Sequence, residues 1–153
     1  MIGVRVTAQE AVFFAQSAEQ KADGTGLTDV GRQKAEALAR ELEDAGIEVI
    51  YSFDRPTVVQ TAEPTAKALN IAIKKIAGKP AAIDDWINRL PTEHNEQRVL
   101  VVSGAGGFDT GSGERILKGL GLPEVEILTG RTDQLFVFVP RGSEEPLVIK
   151  MRW

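Results

Sequence analysis

Short strand-like runs alternate with segments of helical period along the first hundred residues, and this alternation constrains the fold more than any other feature. Ala11–Ala15 (AVFFA), Glu48–Ser52 (EVIYS) and Arg98–Val102 (RVLVV) have the length and composition of buried strands. Between the first two, Ala35, Leu38, Ala39, Leu42 and Ala45 recur at helical spacing and build one apolar stripe. Strand, helix, strand in that order predicts an α/β fold, a three-layer sandwich around a mostly parallel central sheet.

Local signals set the expected boundaries. Thr28 can cap the first helix, with Asp29 in its first turn, where negative charge suits the helix dipole. Gly46 is a natural stop. Pro56 stands where a second helix can begin, running through Gln60, Thr61 and Ala62 toward Leu69, with a kink expected at Pro64. Ile71–Ile76 has weak strand character, and Ala82–Leu90 reads as a short helix stopped near Pro91. Gly104–Gly113 holds five glycines in ten residues and is expected to be irregular. A helix follows over Glu114–Leu120, closed by Gly121. Gln134–Val139 and Leu147–Met151 read as closing strands, and the PRGSEEP turn between them predicts an antiparallel edge. Phe13, Phe14, Val49, Ile50, Leu100, Val101, Phe136 and Phe138 are the expected sheet core. Trp86 should anchor its helix, and Trp153 should close the last strand.

Composition removes several classes of function. A length of 153 residues suits one domain spanning residues 1–153, able to bury roughly 68–70% of its unfolded surface. The absence of cysteine excludes disulfides, thiolate nucleophiles and cysteine metal sites. A net charge of −4 argues against nucleic acid as a partner, since neutralising phosphates needs a basic face. No apolar run reaches the roughly 18 residues that span a bilayer, so no membrane partner is expected. MIGVRVTAQEAVFF makes a poor signal peptide. The expected compartment is therefore the cytoplasm, though a trimmed secreted form would read the same.

The segment Leu27–Ala68, LTDVGRQKAEALARELEDAGIEVIYSFDRPTVVQTAEPTAKA, resembles the histidine phosphatase (phosphoglycerate mutase-like) superfamily. The likeness extends more weakly into VLVV and DQLFVFV. It implies a phosphoglycerate mutase-like domain and a phosphatase or phosphomutase working through a nucleophilic histidine, a second histidine and two phosphate-binding arginines. This chain departs from that pattern at all four working positions. In VFFAQSAE, Gln16 stands where the first arginine belongs and Ser17 where the nucleophile belongs, followed by Ala18 and Glu19. In YSFDRPTVVQTA, Thr57 replaces the second arginine, with Arg55 two residues out of register. After VLVV come Ser103 and Gly104, and Gly104 takes the place of the second histidine. The stretch around Gly106–Gly111 has no counterpart in the pattern.

The chemistry follows these replacements. A phosphohistidine intermediate needs an imidazole, and the transferring phosphoryl group needs cations around it. Gln16, Ser17 and Thr57 offer hydrogen bonds without charge. His94, the one histidine, precedes the fourth-strand run, so roughly 16 Å of strand separates it from the site. It reads as a solvated loop residue. Ser17 lacks the adjacent base that a hydroxyl nucleophile requires. Glu19, Asp54 and Asp109 could together hold a hard cation such as Mg²⁺; the plainer account has Asp54 capping a helix and the others facing water. SGAGGFDTGSGE could form an anion nest but fits neither the dinucleotide nor the P-loop fingerprint, and reads as a plain loop. Arg55 is expected in a surface ion pair with Asp54 or a neighbouring acid.

The expectation is a pseudoenzyme: a binding or scaffold module, with Gln16, Ser17, Glu19, Arg55, Thr57, Ser103 and Gly104 lining a residual cleft. Its expected partners are a phosphorylated or anionic small molecule, or a protein. No metal and no cofactor is expected. The alternatives are a hydrolase using carboxylates and a metal in the same cleft, and a variant whose active site was deliberately rewritten.

Overall fold

A computed structural model describes residues 11–93, 96–103, 116, 118–119, 134–141 and 144–153. The elements are β1 (Ala11–Gln16), α1 (Asp29–Leu42), β2 (Val49–Phe53), α2 (Pro56–Leu69), β3 (Ile73–Ile76), α3 (Pro80–Glu93), β4 (Arg98–Ser103), β5 (Gln134–Arg141) and β6 (Glu144–Arg152). They form a mixed α/β fold around one six-stranded sheet, in the order β3-β2-β4-β1-β5-β6. The first four positions are parallel. β5 runs antiparallel to β1 and to β6, which is the predicted antiparallel edge.

The connections assign the layers. From β1 to β2 to β3 the chain moves one way across the sheet, and from β3 to β4 it turns back. Right-handed crossovers then put α1 and α2 on one face and α3 on the other. α1 and α2 pack against each other, as that placement requires. On the opposite side the helical residue Gly119 lies against Ile87 of α3, where a Cβ would come within 2.8 Å of the Ile87 side chain.

The helices form where their apolar stripes meet the sheet. α1 buries Ala35, Leu38, Ala39 and Leu42, with Ala45 packed just beyond its end. Gly46 follows with φ +73°, a left-handed conformation that suits glycine. α2 buries Thr57, Val58, Thr61, Ala62, Thr65 and Ala66, a face of small side chains repeating every four residues. It ends at Asn70, which takes the left-handed cap conformation (φ 56°, ψ 45°). All eight expected core residues are buried, as are Trp86 and Trp153.

Several boundaries differ from the sequence reading. α3 starts at Pro80, not Ala82, and passes Pro91 to end at Glu93. Proline is tolerated there because little helix follows it, while Ile83, Trp86, Ile87 and Leu90 hold the preceding turns in the core. α2, by contrast, runs through Pro64 to Leu69 as expected. β2 is shifted one residue, to Val49–Phe53, and β3 is confined to Ile73–Ile76. The N-cap of α2 is Arg55, with no side-chain cap bond, so Asp54 is not the helix cap. The expected irregular stretch Gly104–Gly113 lies outside the described residues. Of the helix expected over 114–120, residues 116, 118 and 119 are described, and all three are helical.

Candidate functional site

The carboxyl ends of β1, β2 and β4 converge where an open parallel sheet places its ligands. Register sets their level: Gln16 pairs with Ser103 across β1 and β4, and Ser52 with Val102 across β2 and β4. The Ser17 N–H donates to the Ser103 carbonyl at 2.7 Å, carrying the parallel contact one residue past β1. The chain then leaves the sheet, and α2 catches it. The Ala18 N–H donates to Thr61 Oγ1 at 2.9 Å, and the same hydroxyl donates to the Thr57 carbonyl at 2.8 Å. One threonine thus fixes the start of α2 against the exit of β1.

The loop that follows is pinned at both ends. Gln60 Oε1 accepts from the Leu27 N–H at 2.9 Å. The Thr28 N–H donates to the Glu19 carbonyl at 3.0 Å, and Thr28 Oγ1 donates to Glu19 Oε1 at 2.9 Å. Thr28 also caps α1 as expected, accepting from the Gly31 N–H at 2.9 Å. Gly31 is the close approach that lets α1 seat there: a Cβ on it would lie 2.1 Å from the Glu19 carbonyl oxygen. Gln60 and Thr61 were visible in the sequence as helix residues and as part of the YSFDRPTVVQTA resemblance, not as clamps on the loop. Their pairing with Leu27 and Ala18 spans 33 and 43 residues, a separation no local pattern reveals.

The sequence-predicted site residues fall into two groups. Gln16, Ser17, Thr57 and Ser103 are buried and form an uncharged floor. Glu19 and Arg55 are exposed at its rim. Gly104 lies outside the described residues, as do His94, Asp109 and the Gly106–Gly111 stretch. Gln16 is fully buried, and among the described residues neither its amide oxygen nor its amide nitrogen has a hydrogen-bond partner. An unsatisfied buried polar group costs about 1–3 kcal/mol, so this side chain strains the floor it occupies. Thr61 and Ser52, also buried, both have partners within the floor's walls.

Charge at the rim is arranged differently from the expected ion pair. Asp54 faces Lys75 at 3.8 Å across two exposed side chains, and Arg55 makes no ion pair among the described residues. Such an exposed pair contributes little. Glu19 is engaged by Thr28 rather than gathered with other carboxylates. No group of three or more His, Asp or Glu side chains able to hold a metal occurs among the described residues. A separate open groove of about 670 Å³ runs along the α1–α2 flank, with Ala35 and Pro64 in it and Arg32, Glu36, Glu63 and Lys67 around it.

A family model described as histidine phosphatase superfamily (branch 1) matches residues 14–78, from within β1 to just past β3, a stretch that holds Gln16, Ser17 and Thr57 but not Ser103. Solved structures share the fold across nearly the whole chain. The protein histidine phosphatase SixA complexed with tungstate aligns with a TM-score of 0.62, at 17% identity, over 93% of this chain and 96% of its own. Over residues 14–78 the chain resembles the histidine phosphatase superfamily, and its fold is the one these phosphatases share. A phosphoserine phosphatase from Entamoeba histolytica in complex with 3-phosphoglyceric acid aligns with a TM-score of 0.60, at 13% identity, over 95% and 97% of the two chains. A mycobacterial glucosyl-3-phosphoglycerate phosphatase in complex with VO3 gives 0.59, at 14% identity, over 94% and 98%. No curated protein matches the chain at a significant level. The fold of these phosphatases is thus present, and at the carboxyl end of its first strand Gln16 and Ser17 place a buried amide and a buried hydroxyl.

Proposed function

We propose that this chain is a catalytically silent member of the superfamily, a binding or scaffold module that keeps the strand-end cleft as a remnant site for an anionic or phosphorylated ligand. The observation that carries this reading is the uncharged, buried floor of Gln16, Ser17, Thr57 and Ser103. An imidazole nucleophile and a cationic clamp are what the chemistry needs. Hydroxyls and an amide can hold an oxyanion by hydrogen bonds, but they neither form a phosphohistidine nor neutralise a dianion. Support for an anionic ligand comes from the relatives, whose structures hold tungstate, VO3 and 3-phosphoglyceric acid. Arg55 is the cation best placed to meet such a group, being exposed at the start of α2.

Two measurements test this. With p-nitrophenyl phosphate and with a phosphohistidine peptide, turnover is expected to stay at the uncatalysed background. Activity well above it, surviving Ser17→Ala, would overturn the silent reading. Calorimetric titration with inorganic phosphate and with tungstate is expected to show weak binding, reduced by Arg55→Ala. Absence of heat from both ligands at millimolar concentration would remove the anion site and leave only the scaffold role.

A further inference from the structure

The two ends of the sheet are built differently. At one end stands β3, four residues long, with Lys74 and Lys75 exposed at its centre. A short, lysine-bearing strand is how proteins keep an edge from pairing with a neighbour. At the other end stands β6, nine residues long, with no strand beyond it among the described residues. β6 presents Leu147 and Ile149, 45% and 42% exposed, two places apart and therefore on one face of the sheet. They are two of the three large exposed apolar side chains among the described residues.

The charges along β6 are ordered as well. Glu144 and Glu145 lie at its beginning, and Lys150 and Arg152 at its end. A strand of this kind is complementary to itself reversed. We propose that β6 is a homodimer interface, pairing antiparallel with β6 of a second copy about a two-fold axis at Val148. In that register Glu144 faces Arg152 of the other copy at both ends. Leu147 faces Ile149, again twice, and Val148 faces Val148. Directly opposed residues in an antiparallel pair share a face, so the four exposed apolar side chains meet as one cluster across the axis. Glu145 faces Met151 in this register, and a slip by two residues in either direction would take Arg152 off Glu144. Pro146 offers no N–H, so the shared ladder is carried mainly by Leu147–Arg152. Lys150 lies over Phe136 of its own sheet, its Nζ 5.9 Å from the ring centroid, which draws it off the pairing edge. The result is one continuous sheet of two six-stranded halves, with the edge of each covered by the other.

Sedimentation equilibrium of the full chain, over a range of concentrations, reads this directly. Twice the chain mass is expected at high concentration. Ile149→Lys, on an exposed position, should give the single-chain mass with an unchanged far-ultraviolet circular dichroism spectrum. Arg152→Glu should weaken association by on the order of tenfold, since two attractive ends become repulsive. Adding Glu144→Arg to Arg152→Glu should restore it, because the swapped charges again oppose each other. A single-chain mass at every concentration would overturn the proposal, as would a dimer indifferent to Ile149→Lys. A dimer lost on Arg152→Glu but not regained in the double exchange would overturn the register centred on Val148.

Discussion

At the scale of single residues, two positions hold the site's geometry under tension of opposite kinds. Gly31 is there because α1 touches the Glu19 carbonyl, and a methyl group would have to push the helix away. Gly31→Ala should destabilise the protein by about 1–3 kcal/mol, the usual cost of overpacking, despite alanine's better helix propensity. Urea unfolding measures this, and an unchanged or raised midpoint would contradict the close approach. Gln16 is the converse. Its buried amide has no partner among the described residues, so an apolar side chain of similar length should be tolerated or preferred. Gln16→Met is expected to raise stability by about 1–2 kcal/mol by removing the desolvated amide. A destabilised Gln16→Met would show that the amide is satisfied in solution.

At the scale of elements, the entry to α1 does two jobs. Thr28 caps the helix by accepting from the Gly31 N–H and closes the β1–α1 loop by donating to Glu19 Oε1. Thr28→Ala should cost about 1 kcal/mol for the cap alone. Thr28→Ser keeps both bonds and should cost much less. If the two variants lose equal stability in thermal unfolding, the hydroxyl is not the reason for the residue. α2 shows how the same sequence text carries different information at different distances. Its small, four-residue repeat was legible as a helix face. The use of Gln60 and Thr61 to clamp the loop after β1 was not, because each partner lies on the far side of α1. Pro91 misled for a related reason: a helix breaker is decisive in isolation, but four buried side chains in the turns before it outweigh the bond it removes.

At the scale of the whole molecule, the layers are joined through contacts that pH can reach. Tyr51, buried in β2, meets Trp86 of α3 edge-on with ring centroids 5.4 Å apart. Burial holds its phenol above the ordinary value of 10.0, and the nearby Glu93 carboxylate adds to this, opposed by Arg89. The neutral phenol is therefore the form the fold prefers. Its contribution is complete below about pH 10 and is lost as pH rises through the elevated folded value. Stability followed by urea unfolding should fall from about pH 10 upward in the parent protein, and less steeply in Tyr51→Phe. Parallel slopes for the two would remove Tyr51 from the account of alkaline unfolding.

The sequence by itself determined the alternation of strands and helices, the buried character of β1, β2 and β4, and the resemblance of Leu27–Ala68 to the histidine phosphatase superfamily. Those are properties of periodicity and of residue type at a motif position, and both are local. Only the tertiary structure decided that Gln16 lies buried with no partner among the described residues, that Glu19 is tied to Thr28, and that Asp54 faces Lys75 rather than Arg55. It also decided that β6 stands at the end of the sheet, since strand order depends on crossovers whose direction no single segment encodes. Burial and pairing belong to the neighbours a side chain acquires on folding, and a linear reading names the side chain without its neighbours.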